Sequence, residues 1–299
     1  MEYTGLLRKY KLNRKLSKSE KENQLCQTQK IEKKINHELT TIEINSTYIE
    51  IVDKFFFWKG WLTTGCVVLL ALIAVLLLAF LKVAITERLN DFESWLALLF
   101  VFAVFSPLIF LLSNSIHKEI NLTHYPIRFN RKARKIFAFR PDGKILTADW
   151  DQVFFTQVSV SGKYWEFQCH ILDKDGETIL ETFALPALAY GVEEKEDFKG
   201  YWEFIRRYME EGPASVIDNI TACLPIKKEK ETLKFSYQRL AYSLGGPSLF
   251  MLLYYAMCYP GRILTMHYSK IPQWPREIEE QCPVEPNDPY FKDAASNPE

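Results

Sequence analysis

The sequence predicts an α+β membrane protein in which a transmembrane helical hairpin is joined to a small antiparallel β-meander domain closed by one helix. Two observations carry this prediction. Two long stretches contain no charged residue, and a region of short apolar runs separated by turn residues follows them. A third apolar stretch near the C-terminus predicts a third membrane helix.

The composition limits the classes of function. The 299 residues carry 37 Lys and Arg against 37 Asp and Glu, so the chain lacks the basic excess of a nucleic-acid-binding protein. Apolar residues make up 48% of the chain, which excludes global disorder. The six cysteines are scattered without a CxxC pair, a pattern that fits a reducing compartment better than a disulfide framework.

The N-terminal region contains charges of both signs and few large apolar residues. This composition predicts a flexible charged N-terminal arm over residues 1–45. From Thr47 to Phe57 the pattern tightens and continues into the first apolar stretch. We therefore predict an interfacial amphipathic helix there, which together with the hairpin makes up residues 46–118.

The first apolar stretch runs from Gly60 to Leu81, 22 residues without a charge. At 1.5 Å per residue it is roughly 33 Å long, enough to cross a hydrocarbon core of about 30 Å. We predict spans at about 60–82 and 94–114, the second kinked at Pro107, as a neighbouring membrane helix can accommodate.

The third apolar segment is predicted over residues 236–262, and it is charge-free from Leu240 to Gly261. Gly245-Gly246-Pro247 interrupts it and leaves an apolar part of about 12 residues, a length that also fits a re-entrant or interfacial segment. Both alternatives stay open at this point. They leave open the side of the membrane on which the Pro-rich acidic tail, residues 263–299, lies.

The distribution of Lys and Arg predicts the orientation. Twelve lie in the first 60 residues and seven between Ser113 and Arg140, whereas the short loop between the spans carries only Lys82 and Arg88. Because basic residues are enriched on the cytoplasmic side, we predict a multi-pass protein of the plasma membrane with its N-terminus and β-domain in the cytoplasm.

The β-domain is predicted over residues 119–235. Short apolar or alternating runs are separated by turn signals such as Pro141-Asp142-Gly143, a pattern typical of an antiparallel meander. An amphipathic helix over Glu194 to Glu210 follows, with an aromatic stripe that includes Phe198 and Trp202. About six strands and then one helix is the order found in pleckstrin-homology-like domains. A plain antiparallel sheet covered by one helix fits the pattern equally.

The sequence contains no motif for a nucleophile elbow, a P-loop or a zinc protease, and no histidine lies at metal-ligand spacing from another His or Cys. We therefore predict a protein that is not an enzyme and that uses neither a metal nor a cofactor. Binding residues are a better expectation than catalytic ones.

Two groups of residues are candidates for binding. A basic run just after the second span can reach anionic lipid headgroups, at about 1 kcal/mol per close charge, although the same charges also suffice to set the topology. Exposed aromatic residues of the strand domain and acidic residues of the tail are candidates for contact with a protein partner. The first group is Arg131, Lys132, Arg134 and Lys135, and the second is Trp150, Tyr164, Trp165, Glu277, Glu279 and Glu280.

Three segments carry a resemblance to a known group of proteins. TYIEIVDKFFFWKGW leads into the first span, HYPIRFNRKARKIFAFRPDGKILTADWDQVFF opens the strand domain, and IPQWPREIEEQCPVEPNDPY lies near the end. Together they resemble an uncharacterised family of Gram-negative inner-membrane proteins whose genes are found beside those for type VI secretion spike proteins and toxic effectors. The resemblance covers about residues 45–290.

The resemblance implies a role in the effector module. It implies a membrane-anchored, non-catalytic binding protein, either an immunity protein that neutralises a toxin by direct binding or an adaptor or chaperone for effector loading. A lipid-binding or structural membrane protein unconnected with secretion is the third hypothesis. The expected partners are the lipid bilayer and a protein, and the sequence leaves the oligomeric state open.

Overall fold

The structure is a computed structural model that describes residues 10–86, 92–160, 162, 164–243 and 249–298. The fold is α+β, as predicted. The described residues form two compact units, of which the first contains residues 10–57, 124–230 and 271–298 and the second contains residues 58–123 and 231–270. Residues 244–248 of the predicted third membrane segment lie outside the described residues.

Ten strands and seven helices occur in the described residues. The strands are β1 (Arg14–Lys15), β2 (Gln24–Leu25), β3 (Thr41–Ile44), β4 (Tyr48–Ile51), β5 (Ile127–Asn130), β6 (Lys135–Phe139), β7 (Ile145–Asp149), β8 (Val153–Ser159), β9 (Tyr164–Leu172) and β10 (Thr178–Tyr190). The helices are α1 (Lys18–Glu22), α2 (Trp61–Thr86), α3 (Phe92–Glu119), α4 (Gly191–Glu210), α5 (Leu233–Ser243), α6 (Leu249–Tyr268) and α7 (Arg276–Gln281).

The first unit consists of two five-stranded antiparallel sheets. One has the order β3-β4-β5-β6-β7, and the other has the order β1-β10-β9-β8-β2. The aromatic rings of the second sheet and of α4 fill the core, where Trp150 stacks on Trp202 at 5.7 Å and Phe167 stacks on Phe198 at 3.9 Å between ring centroids. Burying these large rings on one face of α4 explains why the helix closes this sheet.

The prediction of an interfacial helix at Thr47–Phe57 is wrong, because Tyr48–Ile51 form strand β4. All four residues are buried. Ile49 and Ile51 face the aromatic core, whereas Tyr48 packs with the C-terminal residues Ile278 and Cys282 on the other face of the sheet. When both faces of a strand are buried, its sequence need not alternate between polar and apolar residues, and this alternation is the pattern that predicts a strand.

The prediction of a flexible arm over residues 1–45 is wrong for the residues that the structure describes. The two-residue strands β1 and β2 extend the two edges of the second sheet, and β3 is a full member of the first sheet. Backbone hydrogen bonds hold much of this region, for example from the N–H of Asn13 to the carbonyl of Ile179 at 2.8 Å. Amino-acid composition contains no information about backbone hydrogen bonds, so it does not reveal that these residues are held in place.

The residues after α6 do not form a separate acidic tail either. Residues 271–298 belong to the first unit, where Ile278 and Cys282 pack on Tyr48 and Phe137 of the first sheet. Ile44 and Lys292 exchange backbone hydrogen bonds of 3.0 and 2.9 Å.

The second unit contains the two predicted spans. Two helical segments are long and apolar enough to cross a membrane, Phe56–Thr86 and Trp95–Glu119. Their apolar side chains are mostly exposed, whereas the core helix of a soluble protein buries such a surface. Helix α6 packs on the start of α2, where a Cβ added to Gly261 would lie 2.1 Å from the Thr64 hydroxyl oxygen.

The buried residue His37 makes the first unit sensitive to acid. Burial, helped by the positive charge of Lys292, lowers the pKa of His37 to about 4. In the unfolded chain the pKa returns to about 6.5, so between pH 6.5 and 4 the unfolded state binds a proton that the folded state does not. Stability is therefore lost as the pH falls through this window.

We expect the free energy of unfolding to fall by about 2 kcal/mol between pH 7 and pH 5 because of this one group. Urea unfolding of the detergent-solubilised protein at both pH values measures the loss. The His37→Gln variant serves as the comparison. Equal pH dependence in wild type and variant would contradict the assignment.

Candidate protein-binding site

Two tyrosines of the second sheet form an exposed aromatic pair. Tyr164 begins β9 and Tyr190 ends β10, and the antiparallel register places them directly opposite each other. Their rings meet edge to face at 5.1 Å between centroids. Each side chain remains about half exposed, at 50% for Tyr164 and 49% for Tyr190. Paired aromatic rings on a surface are a feature of protein interfaces.

The next residue, Trp165, lies on the opposite face of the strand from this pair. Trp165 follows Tyr164 and is half-buried against the core. The Lys195 ammonium of α4 lies 3.9 Å from the centroid of the Trp165 ring, and it also donates to the Asn23 side-chain oxygen at 2.8 Å. We call Tyr164, Trp165, Tyr190 and Lys195 the aromatic corner. Its members lie at one end of the second sheet, the two tyrosines on one face and Trp165 with Lys195 on the face that α4 covers.

Only half of the aromatic corner is predicted from the sequence. Tyr164 and Trp165 lie together as neighbours on β9, but Tyr190 and Lys195 were not predicted. The run LETFALPALAY contains a proline, which is unfavourable inside a central strand, yet β10 continues through Pro186 to Tyr190 with a register shift between Ala184 and Leu188. The strand length is what brings Tyr190 opposite Tyr164.

The prediction that Trp150 is an exposed partner-binding residue is wrong. Its side chain is fully buried, and its indole N–H donates to the Glu210 carboxylate at 2.6 Å. A short 3-10 turn over Trp150–Gln152 separates β7 from β8 and directs the ring into the core. There it packs against Phe155 and Trp202.

The basic run lies in the turn between β5 and β6 and at the start of β6. Arg134 bonds Asp151 at 2.7 Å and Glu210 at 2.8 Å, and Lys132 pairs with Glu285. The remaining two candidates are the half-buried Arg131 and Lys135, and Lys135 pairs in register with Asp149 across the sheet. Acidic neighbours therefore balance much of the charge that was predicted to contact lipid.

The acidic residues of the tail are divided among different partners. Glu279 pairs with Arg128 at 3.3 Å, and Glu280 pairs with Arg276 at 2.7 Å along α7. Glu277 is exposed, and its carbonyl accepts from the Gln281 side chain. The structure thus does not unite Glu277, Glu279 and Glu280 into one acidic surface.

Arg128 is the centre of a buried polar cluster on the first sheet. Its guanidinium donates to the Glu50 carboxylate at 2.6 and 2.9 Å and lies over the rings of Tyr48 and Trp274 at 4.2 and 4.8 Å. The Trp274 indole N–H donates to the same carboxylate at 3.1 Å. This cluster attaches the C-terminal segment to β4 and β5.

Among the described residues, no group of three or more His, Cys, Asp or Glu side chains is arranged to hold a metal ion. Burial raises the pKa of Cys223 to about 12 and also raises that of Cys169, so neither thiol is activated as a nucleophile at neutral pH.

The profile of a family of unknown function, DUF6708, matches residues 100–286 of the chain. The protein belongs to this family. No curated protein and no solved structure matches the chain.

The part of the chain that matches DUF6708 contains the whole aromatic corner, together with Arg128 and Glu279. It leaves out α2 and also β1 to β4, which carry Tyr48 and Glu50. The DUF6708 match therefore covers one side of the Arg128 cluster, and residues N-terminal to it supply the other side.

Proposed function

We propose that this DUF6708 protein is a membrane-anchored, non-catalytic binding protein that presents its aromatic corner to a protein partner. One observation carries the proposal. A hairpin of two long apolar helices is inserted in the chain between β4 and β5, which are hydrogen-bonded neighbours in one sheet. The insertion attaches the soluble unit directly to the hairpin.

The surface of the hairpin is what supports a membrane location. Leu99 and Phe100 of α3 are 67% and 70% exposed, and Val75 of α2 is 64% exposed. A continuous apolar surface over two such helices far exceeds the few hundred Å² that a soluble monomer exposes. A bilayer covers this surface and matches its length.

The first unit is built from three separate chain segments, which supports a location of the whole unit on one side of the membrane. Residues 10–57, 124–230 and 271–298 pack into one unit, so all three lie on the same side of the membrane. The segment 231–270 must then return to the side from which it left. Glu231 at its beginning pairs with Arg262 near its end, as expected for a re-entrant segment. By the distribution of basic residues, that side is the cytoplasm.

The order of elements also supports a pleckstrin-homology-like fold for the first unit. Strands β3 to β7 form one sheet, β8 to β10 form the centre of the second, and α4 closes the second sheet with Tyr201, Trp202 and Ile205 buried. Strands β1 and β2 are additions at the edges. In such a fold the loops between the strands are available for binding.

We further propose that the partner is a toxic effector of a type VI secretion module and that the protein acts as its immunity protein. The resemblance of three segments to inner-membrane proteins encoded beside effectors supports this role. An immunity protein needs a complementary surface and no catalytic group, and the aromatic corner has the residue types that dominate binding energy at interfaces. An adaptor for effector loading would use the same surface without protecting the cell.

The test is rescue of growth. Cells that produce the neighbouring effector should survive only when this protein is co-expressed, and the double variant Tyr164→Ala/Tyr190→Ala should lose rescue through a roughly 100-fold weaker affinity. Phe291→Ala removes an exposed aromatic ring of the C-terminal segment and is the matched control, expected to rescue fully. Survival of effector-producing cells that lack this gene would exclude the immunity role and favour the adaptor.

A further inference from the structure

The N-terminal arm lies on the outer edge of β8 and on α4, as strand β2 followed by a turn at residues 27–29 and an irregular stretch. Gln24 and Leu25 pair with Thr156 and Phe155, and the carbonyl of Asn23 accepts from the N–H of Gln157 at 3.2 Å. Residues 23–36 then continue to α4. We call residues 23–36 the arm segment, and we call the outer edge of β8 with the adjoining face of α4 the arm groove.

Hydrogen bonds that each involve one main-chain group hold the arm segment in the arm groove. The Gln27 side-chain amide donates to the carbonyls of Trp150 and Val153, both at 2.9 Å. Further along, the N–H of Ile31 donates to the Glu203 carboxylate at 3.1 Å. The first two contacts depend on the Gln27 side chain, whereas the third is made by the backbone of the arm segment.

Gly200 of α4 allows the arm segment to pass close to the helix. A Cβ added at this position would lie 2.2 Å from the carbonyl oxygen of Lys34, a distance that only a shift of the backbone could relieve. The N–H of Asn36 also donates to the carbonyl of Gly200. The helix is thus shaped for the close approach of another chain segment.

The arm segment occupies this groove with little side-chain burial. Within residues 23–36, all of which the structure describes, Leu25 alone is buried, while Ile31 and Ile35 pack partly against the core. Strand β2 is two residues long on a β8 of seven residues. A longer strand would therefore form more backbone hydrogen bonds with β8 than the arm segment does.

We propose that the arm groove is a peptide-binding site for a segment of a protein partner that pairs with β8 as a strand, and that the arm segment is its displaceable internal occupant. The chemistry of the ligand follows from the occupant. It has an apolar side chain at the position of Leu25, a side-chain donor at the position of Gln27, and aliphatic side chains at the positions of Ile31 and Ile35. The inference rests on the proposed function in one respect, which is that the ligand belongs to a protein partner.

The probe is a fluorescently labelled synthetic peptide of residues 22–37, titrated by anisotropy against the full-length protein in detergent. Leu25→Ala weakens the internal occupant and leaves the groove intact, so the peptide should bind at least about 30-fold more tightly than to wild type. Leu16→Ala is the matched control, because it truncates another buried leucine of the arm outside the groove. It should leave the affinity unchanged.

A second variant tests the place of binding. In the Leu25→Ala background, Gly200→Ala should abolish peptide binding, whereas Gly65→Ala, a helical glycine with open space around it, should not. Failure of the peptide to bind the Leu25→Ala protein would overturn the proposal. So would binding that Gly200→Ala does not affect. Dimerisation of the Leu25→Ala protein without peptide uptake would make a second copy the occupant and would equally overturn it.

An engineered disulfide between β2 and β8 tests the same proposal if the Leu25→Ala variant does not fold. Gln24→Cys/Thr156→Cys joins two residues that lie directly opposite on β2 and β8, and oxidation should fix the arm segment in place. The oxidised protein should bind no peptide, and reduction should restore binding. Equal behaviour of the two forms contradicts the proposal. No effector is present in these assays, so they and the rescue experiment can fail independently.

Discussion

Replacement of Arg128 by methionine is expected to lower the free energy of unfolding by about 3–5 kcal/mol. The guanidinium is fully buried and is the cation that faces the Glu50 carboxylate, itself only 3% exposed. Methionine fills part of the volume but leaves Glu50 with a buried negative charge and the Trp274 indole N–H as a remaining donor. The penalty is that of an uncompensated buried charge.

Thermal or urea unfolding of the detergent-solubilised protein measures this loss. Arg276→Met is the matched control, because Arg276 is exposed and pairs with Glu280 along one helix, an arrangement worth only a few tenths of a kcal/mol. The double variant Arg128→Met/Glu50→Leu should recover much of the stability, since both charges are removed together. A loss below 1 kcal/mol for Arg128→Met would show that the cluster is not buried as described.

Two arginines in the middle of α2 are expected to remove the protein from the membrane fraction. Leu72 and Leu76 lie one turn apart on the exposed surface of α2. Each arginine near the centre of a membrane helix costs about 3 kcal/mol for insertion, so Leu72→Arg/Leu76→Arg costs about 6 kcal/mol. Such a change reverses the partition of a single helix between membrane and water.

Carbonate extraction followed by immunoblotting of the membrane and soluble fractions measures the effect. Leu72→Ala/Leu76→Ala shortens the same side chains without adding charge and should stay in the membrane fraction. If the arginine variant remained there to the same extent as the alanine variant, α2 would not be embedded in lipid.

The elements that sequence predicted best are those with one dominant periodicity. The hairpin helices were recognised because a long uninterrupted apolar run predicts a helix. Helix α4 was recognised because its aromatic residues recur at helical spacing. Strand β4 was missed because Glu50 lies in a buried sheet, where its partner Arg128 comes from a strand 78 residues away. A charged residue whose partner is distant in the sequence can be buried in the fold, but in the sequence it looks the same as an exposed charged residue.

The candidate site was only partly predictable for a similar reason. Tyr164 and Trp165 stand out as aromatic residues beside a turn, and both lie at the aromatic corner. Whether an aromatic ring points outward depends on the backbone, as the turn that buries Trp150 demonstrates. Lys195 joins the corner through the packing of α4 on β9, a contact that no local pattern contains.

The position of the C-terminus tests the central claim most directly, because a membrane-anchored unit built from three chain segments requires all three on one side. Fluorescent-protein and alkaline-phosphatase reporters fused after Glu299, and inserted between residues 87 and 91, give the measurement. We predict fluorescence at the C-terminus and phosphatase activity only in the loop between the two spans. Phosphatase activity at the C-terminus would mean that segment 231–270 crosses the membrane, and it would contradict the packing of residues 271–298 on the first sheet.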